Sequence, residues 1–239
     1  TIPRKSNFEG LKVVVDCANG AAYKVTPWVL RELGAEVYAI NDTPDGVNIN
    51  EGCGSTHMER VREEVLRRGA DVGIAHDGDA DRTLFCDEEG NIVDGDRIMG
   101  MVASDMKKNG LLRNNVVVAT VMSNLGLEHY LKSMGIEMIR TPVGDKYVVE
   151  RMREGDHSLG GEQSGHIVFS DYNTTGDGPI TAVQVLHLLR KKRRRLSELA
   201  GRITLYPQIL ENVVVRRKRK MESVPAIQRA IEKVNGDLN

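Results

Sequence analysis

Two short, unbroken apolar runs constrain the fold most: Leu11-Lys12-Val13-Val14-Val15 and Val116-Val117-Val118-Ala119. Runs of this length and β-branched content suit parallel strands buried on both faces. Each is followed by similar punctuation. After the first, Asn19-Gly20 turns the chain, Thr26-Pro27 supplies a cap and a first-turn proline, and a helix runs to Leu33 and stops at Gly34. After the second, Ser123 caps a helix that ends at Gly135. The spacing from Val13 to Gly34 resembles that from Val116 to Gly135, so the chain reads as two copies of one α/β domain.

The first copy continues with a strand at Glu36–Ile40, a polar loop from Asn41 to Ser55, and a helix from a Thr56/Glu59 capping box to Arg68, closed by Gly69. A third apolar run, Asp71–Ala75, completes a βαβαβ order. A hairpin around Glu89-Gly90-Asn91 and a helix from Asp96 to Lys108 follow. The polar stretch from Asn109-Gly110 to Asn114-Asn115 marks a domain boundary. In the second copy a strand covers Glu137–Arg140 and a helix Lys146–Arg153. A long helix then starts at Asp177-Gly178, with Ile180, Val183, Leu186 and Leu189 at helical spacing for a core. The expected fold class is α/β: two similar α/β domains, residues 1–110 and 111–205, each a mixed sheet packed between helices. Residues 206–239, with a strand at Ile209–Val215 and a helix at Val224–Val234, begin a further α+β domain. The chain opens without an initiator Met and stops just after a helical pattern, so it is expected to be a piece of something longer.

Chemistry concentrates where the third run ends, at Ala75-His76-Asp77-Gly78-Asp79-Ala80-Asp81-Arg82. Open α/β sheets place ligands at the carboxyl ends of strands, which is where this loop lies. Asp77, Asp79 and Asp81 alternate with small residues and can turn to one side of the backbone. Two carboxylates about 4 Å apart repel by roughly 4 kcal/mol at an effective dielectric near 20, so a third calls for a cation. All-oxygen ligands suit Mg²⁺ or Ca²⁺ rather than zinc or copper. A calcium EF-hand also opens D-x-D-x-D, but Arg82 stands where that loop needs Gly, and the flanks are strand-like. A solvated acidic loop is the bland alternative. Arg82 reads as a fixed cation for a phosphate near the metal. In the second copy, Gly160-Gly161-Glu162-Gln163-Ser164-Gly165-His166 puts Glu162, Ser164 and His166 on one face if extended, a set suited to a polyhydroxylated ligand. The bland reading there is a solvated strand edge.

Composition excludes several classes. The formal net charge is −1 and aromatics are 4%, which gives nucleic acid neither an electrostatic bias nor stacking platforms. The basic runs at Arg190–Arg195 and Arg216–Lys220 read as helix-terminal and border charge. No apolar run approaches the ~20 residues of a membrane span. Three scattered cysteines, Cys17, Cys53 and Cys86, make neither a disulfide framework nor a zinc motif, so a reducing cytoplasm is expected. No GxGxxG follows either first strand, which weakens a dinucleotide reading.

Together, Asp77–Arg82 and Gly161–His166 resemble the α-D-phosphohexomutases. The fuller stretches Asp171–Gly178, Asn48-Ile49-Asn50 and Cys53–Thr56 are similar to the bacterial phosphoglucosamine mutase branch. The resemblance implies a four-domain isomerase that interconverts glucosamine 6-phosphate and glucosamine 1-phosphate, on the route to UDP-N-acetylglucosamine, through a phosphoserine and a bisphosphate intermediate. It implies Mg²⁺ on Asp77, Asp79 and Asp81, with Arg82 steadying phosphates. Glu162 and Ser164 would bind sugar hydroxyls, and His166 a phosphate or hydroxyl. The partners implied are the phosphosugar and the remaining domains of the same protein, with a homodimer left open. The family's Ser-Ala-Ser-His-Asn-Pro and Arg-Pro-Ser-Gly-Thr-Glu loops are absent from these 239 residues, and Pro142 stands where many relatives carry Lys. The chain therefore looks like the second and third domains and the opening of the fourth, and is expected to bind Mg²⁺ weakly and turn over nothing. A phosphoglucomutase or phosphomannomutase stays open within the family, and a non-catalytic sugar-phosphate or calcium-binding module outside it.

Overall fold

In a computed structural model, which describes residues 1–211, 213–215, 217 and 219–237, the two apolar runs become the second strands of two sheets. The first half of the chain runs β1 (Lys12–Asp16), α1 (Ala22–Glu32), β2 (Glu36–Ile40), α2 (Glu59–Arg68), β3 (Val72–His76), β4 (Thr83–Asp87), β5 (Ile92–Val93) and α3 (Gly95–Lys108). The second half repeats it as β6 (Val116–Thr120), α4 (Leu125–Ser133), β7 (Glu137–Thr141), α5 (Asp145–Glu154), β8 (Leu159–Gly161), β9 (Ile167–Phe169) and α6 (Gly178–Lys192). The sheets have strand orders β2-β1-β3-β4-β5 and β7-β6-β8-β9. In each, the first three strands are parallel and the next is antiparallel, closing a hairpin on the third.

Alternation along the strands sorts the core. Val13 and Val15 face the same apolar cluster as Val117 and Ala119, which runs through both sheets and takes in Phe85, Ile98, Leu127, Leu159, Ile167 and Leu186. Val14 turns the other way, under Val61 and Val65 of α2. Val116 and Val118 likewise pack under Val148 and Met152 of α5. The closing helices are exchanged between the halves. Helix α3 packs on α4 and β8 of the second half, and α6 packs on α1 and β4 of the first. By contacts Thr1–Tyr206 forms one compact unit and Pro207–Asn239 a second.

Several local expectations are corrected. Helix α1 starts at Ala22, and Pro27 sits inside it rather than in the first turn. Ala21 N donates to Gly78 O (2.8 Å), and this tertiary bond fixes the helix start ahead of the local cap signal. The Tyr23 carbonyl that Pro27 cannot serve lies 4.0 Å from the Cys17 thiol. Thr56 lies exposed in a 3₁₀ turn, and α2 begins after Met58 without a side-chain cap. Asn124, not Ser123, caps α4, its Oδ1 accepting from Gly126 N (2.9 Å). In the second unit, α7 having ended the first (Leu196–Ala200), α8 (Pro225–Asp237) forms as expected. The described residues of 209–215 pair with no strand; an extended apolar segment needs a neighbour's N–H and C=O groups to become a strand. Asn212 and Arg216, within that segment and the second basic run, lie outside the described residues, as does Lys218. The three cysteines are unpaired and buried.

Asp96, in the first turn of α3, is fully buried and accepts from Asn124 N (2.7 Å). Burial pushes its carboxyl up to about 6. A folded pKa above the unfolded one gives stability that is complete below about pH 4 and lost as pH rises through 6. Asp96→Asn should therefore be more stable than the parent at pH 7, by on the order of 3 kcal/mol at about 1.4 kcal/mol per pKa unit. Urea unfolding across pH 4–8 should show that gap closing towards pH 4.

Candidate functional site

The loop 77–82 is the hairpin connection between β3 and β4, at the carboxyl end of β3. Ala80 N donates to Asp77 O (3.1 Å) and Arg82 N to Asp77 Oδ1 (3.1 Å), with Ala80 at φ +61°. This curl brings one carboxylate oxygen from each of Asp77, Asp79 and Asp81 within 4.8 Å of one another. Asp77 is buried, Asp81 half-buried and Asp79 exposed. Arg82 Nε reaches Asp77 Oδ2 at 2.8 Å and Asp81 Oδ1 at 3.5 Å, so the guanidinium engages the loop's own carboxylates while remaining 44% exposed. One guanidinium among three carboxylates leaves an excess of negative charge. Asp81 Oδ1 is buried and has no hydrogen-bond partner among the described residues. A buried carboxylate oxygen held only by that long ion pair, in an all-oxygen set, fits a hard divalent cation.

The loop is braced on every side. Gly178 N, at the start of α6, donates to Ala80 O (2.9 Å), and Asp177 caps that helix through Ile180 N (2.8 Å). A Cβ on Gly178 would stand 2.6 Å from His76 Nδ1, 2.8 Å from Ala80 O and 2.9 Å from Arg82 O. His76 is buried, and burial pushes its imidazole down to about 4, so it is neutral at physiological pH. A Cβ on Gly20 would run into Gly78 O. Asp16, buried at the end of β1, accepts from Ala18 N (2.9 Å) and Gly54 N (3.0 Å) and so ties the neighbouring loops together.

Glu162, Ser164 and His166 do not share the face of one strand. Gly165 takes φ +95°, Gly165 N donates to Glu162 O (3.0 Å) and Glu162 N to His166 O (3.0 Å), which closes a tight turn between β8 and β9. Glu162 Oε1 accepts from Gly144 N (3.2 Å), ahead of α5, and Ser164 is exposed. His166 is 3% exposed, with Nδ1 3.1 Å from Asp81 Oδ2 and Nε2 accepting from Gly176 N at 3.0 Å. The two loops meet: Arg82 and His166 form a β-bridge, and Thr83 N donates to Gly165 O (3.1 Å). The sequence reading gave Asp16 no role, took Gly20 and Gly178 only as turn and helix-start residues, and did not foresee that Gly176 holds the His166 ring. Its available signal was position: an Asp closing an apolar strand, and glycines flanking both polar loops.

Residues 2–90 match the family described as phosphoglucomutase/phosphomannomutase, alpha/beta/alpha domain II, and residues 94–206 match domain III. The chain belongs to the phosphoglucomutase/phosphomannomutase family. It is 56% identical over 224 residues to the phosphoglucosamine mutase of Thermodesulfovibrio yellowstonii, covering 94% of this chain and 50% of that protein. To the phosphoglucosamine mutase of Caldicellulosiruptor bescii it is 54% identical over 236 residues, covering 98% of this chain and 53% of the other. The chain thus spans about half the length of the curated relatives it matches. Among solved structures, a phosphoglucomutase/phosphomannomutase family protein from Burkholderia thailandensis superposes with TM-score 0.72 at 27% identity, over 80% of this chain and 42% of that one. The N-acetylphosphoglucosamine mutase of Aspergillus fumigatus, solved with GlcNAc-6P and magnesium, shares the fold with TM-score 0.67 at 22% identity, over 85% and 47% of the two chains. Within this phosphoglucomutase/phosphomannomutase chain, Gly178→Ala should push His76 and the Asp loop apart. We expect a loss of about 1–3 kcal/mol in thermal or urea unfolding.

Proposed function

We propose that this chain is the central part of a phosphoglucosamine mutase, an isomerase that interconverts glucosamine 6-phosphate and glucosamine 1-phosphate through a phosphoserine and a bisphosphate. The observation that carries the reading is the junction of the two motif loops, with Asp81 of one against His166 of the other. The high identity to proteins named phosphoglucosamine mutase supports the choice of sugar. Asp77, Asp79 and Asp81 hold Mg²⁺, which when bound offsets charge on the transferring phosphoryl oxygens. Arg82 neutralises part of the carboxylate cluster and keeps its exposed guanidinium at the edge of the site for phosphate. Glu162, pinned at the start of α5, and Ser164, exposed on the turn, take sugar hydroxyls.

The phosphoserine comes from a further domain, since no serine loop of the family type is present in this sequence. We propose the segments 1–110, 111–205 and 206–239 as second-type, third-type and opening C-terminal domains, joined in the intact protein to the remaining ones. No helix of the described residues is long and apolar enough to cross a membrane; a cytoplasmic location is part of the proposal. A homodimer is a further proposal.

In the intact protein, turnover should depend on Mg²⁺ and fall roughly 100-fold or more in Asp79→Asn, a change at an exposed residue. Coupled assays on glucosamine, glucose and mannose phosphates should favour glucosamine; a preference for glucose or mannose would move the protein to the phosphoglucomutase/phosphomannomutase activity. Calcium binding with no phosphosugar effect would leave a binding module. The 239-residue chain alone should bind Mg²⁺ weakly and show no mutase activity.

A further inference from the structure

The His166 side chain, itself on the second motif loop, touches the first loop at Asp81 and the segment leading into α6 at Gly176. Its two ring nitrogens are engaged by groups of opposite demand. Gly176 N–H can only donate, so Nε2 must present a lone pair to it (3.0 Å). In a neutral imidazole the proton then sits on Nδ1, which donates it to Asp81 Oδ2 (3.1 Å). A charged imidazolium would set two N–H groups against each other at Gly176. The ring is held tightly, because a Cβ on Gly176 would lie 2.5 Å from both Cε1 and Nε2. With Oδ2 taken by His166, the other oxygen of Asp81 is buried beside Arg82 Nε at 3.5 Å, an ion pair without hydrogen-bond geometry.

We infer that His166 is a positioning residue for the metal ligand Asp81. It fixes the carboxylate by one oxygen so that the other faces the cation, and it does so through a tautomer set by the backbone of Gly176. The inference deepens the metal assignment above and rests on it. It assigns His166 to the metal loop rather than to the sugar, and makes cation affinity depend on a turn from the second half of the chain. Glu162 and Ser164 remain the sugar contacts.

Two isosteric variants separate the ring's functions. His166→Asn keeps an amide N–H at the position of Nδ1 but cannot reach Gly176. His166→Gln places its amide one bond further out, within reach of Gly176, and loses the donor to Asp81. Binding of Mg²⁺, or of Mn²⁺ followed by EPR, to the 239-residue chain gives an affinity that needs no turnover. The expected result is His166→Asn within about threefold of the parent and His166→Gln weaker by roughly 10–100-fold, the usual effect of removing a partner that orients a ligand. Hydrogen exchange should show the reverse pattern at Gly176, with its amide protected in His166→Gln and exposed in His166→Asn. Equal affinities in the two variants, or a greater loss in His166→Asn, would overturn the inference. The parent chain supplies an independent check in the imidazole ¹⁵N shifts, where a proton found on Nε2 also overturns it, whether or not either variant folds. A parent that binds neither cation would remove the metal assignment itself, whereas a wrong tautomer or a wrong variant order leaves that assignment standing.

Discussion

The bond from Thr83 N to Gly165 O, with the bridge between Arg82 and His166 beside it, is the contact on which the site depends. Without it, an acidic loop on one sheet and a polar turn on another would be separate surface features. Three carboxylates within 4.8 Å repel, and one arginine offsets only part of that charge. Such a loop keeps its curl because its backbone is anchored from outside, by Gly178 N on Ala80 O and by Ala21 N on Gly78 O. The electrostatic strain is thus carried by the hydrogen bonds of neighbouring elements, and a cation would relieve it.

The two motif loops occupy equivalent places in the repeat. Each is the hairpin connection after the third strand, and Arg82 and His166 each stand directly before the returning strand. Their supports correspond as well. Gly178 opens α6 against the Asp loop, and Gly95 opens α3 against the second loop, its N–H donating to Gln163 O (3.0 Å) with no room for a Cβ beside Glu162 O. Asp94 and Asp177 cap those helices in the same way, through Arg97 N and Ile180 N. One duplicated architecture therefore presents three clustered carboxylates on one copy and the Glu162–His166 turn on the other, pressed together at equivalent points.

Much of this was legible in the chain because apolar runs and their stops are local. The strand Glu36–Ile40, the stop at Gly69 with its left-handed backbone, and the Asp177 cap all stand where the residues place them. The clustering of Asp77, Asp79 and Asp81 was legible because the three lie within five consecutive residues. What failed was decided by distant contacts. Thr26-Pro27 has good capping chemistry, yet Ala21 is already held by Gly78, nearly sixty residues on. Alternation at Glu162, Ser164 and His166 looks extended until Gly165 turns with positive φ against Thr83. The polar linker after Lys108 carries no record of which sheet the preceding helix covers, so the packing of α3 on the second half was not legible. The apolar segment 209–215 reads as a strand, but its described residues have no neighbour to pair with.

The exchange of α3 and α6 carries a further consequence. Ile98 and Met99 of α3 and Leu186 of α6 belong to the same cluster as Val13 and Val117. A cut in the linker near residue 110 would give two fragments, each holding a helix with nothing to cover and a sheet stripped of its lid. Each half thus supplies the helix that covers the other's sheet, and the two polar hairpins meet only in a chain where both halves are folded together.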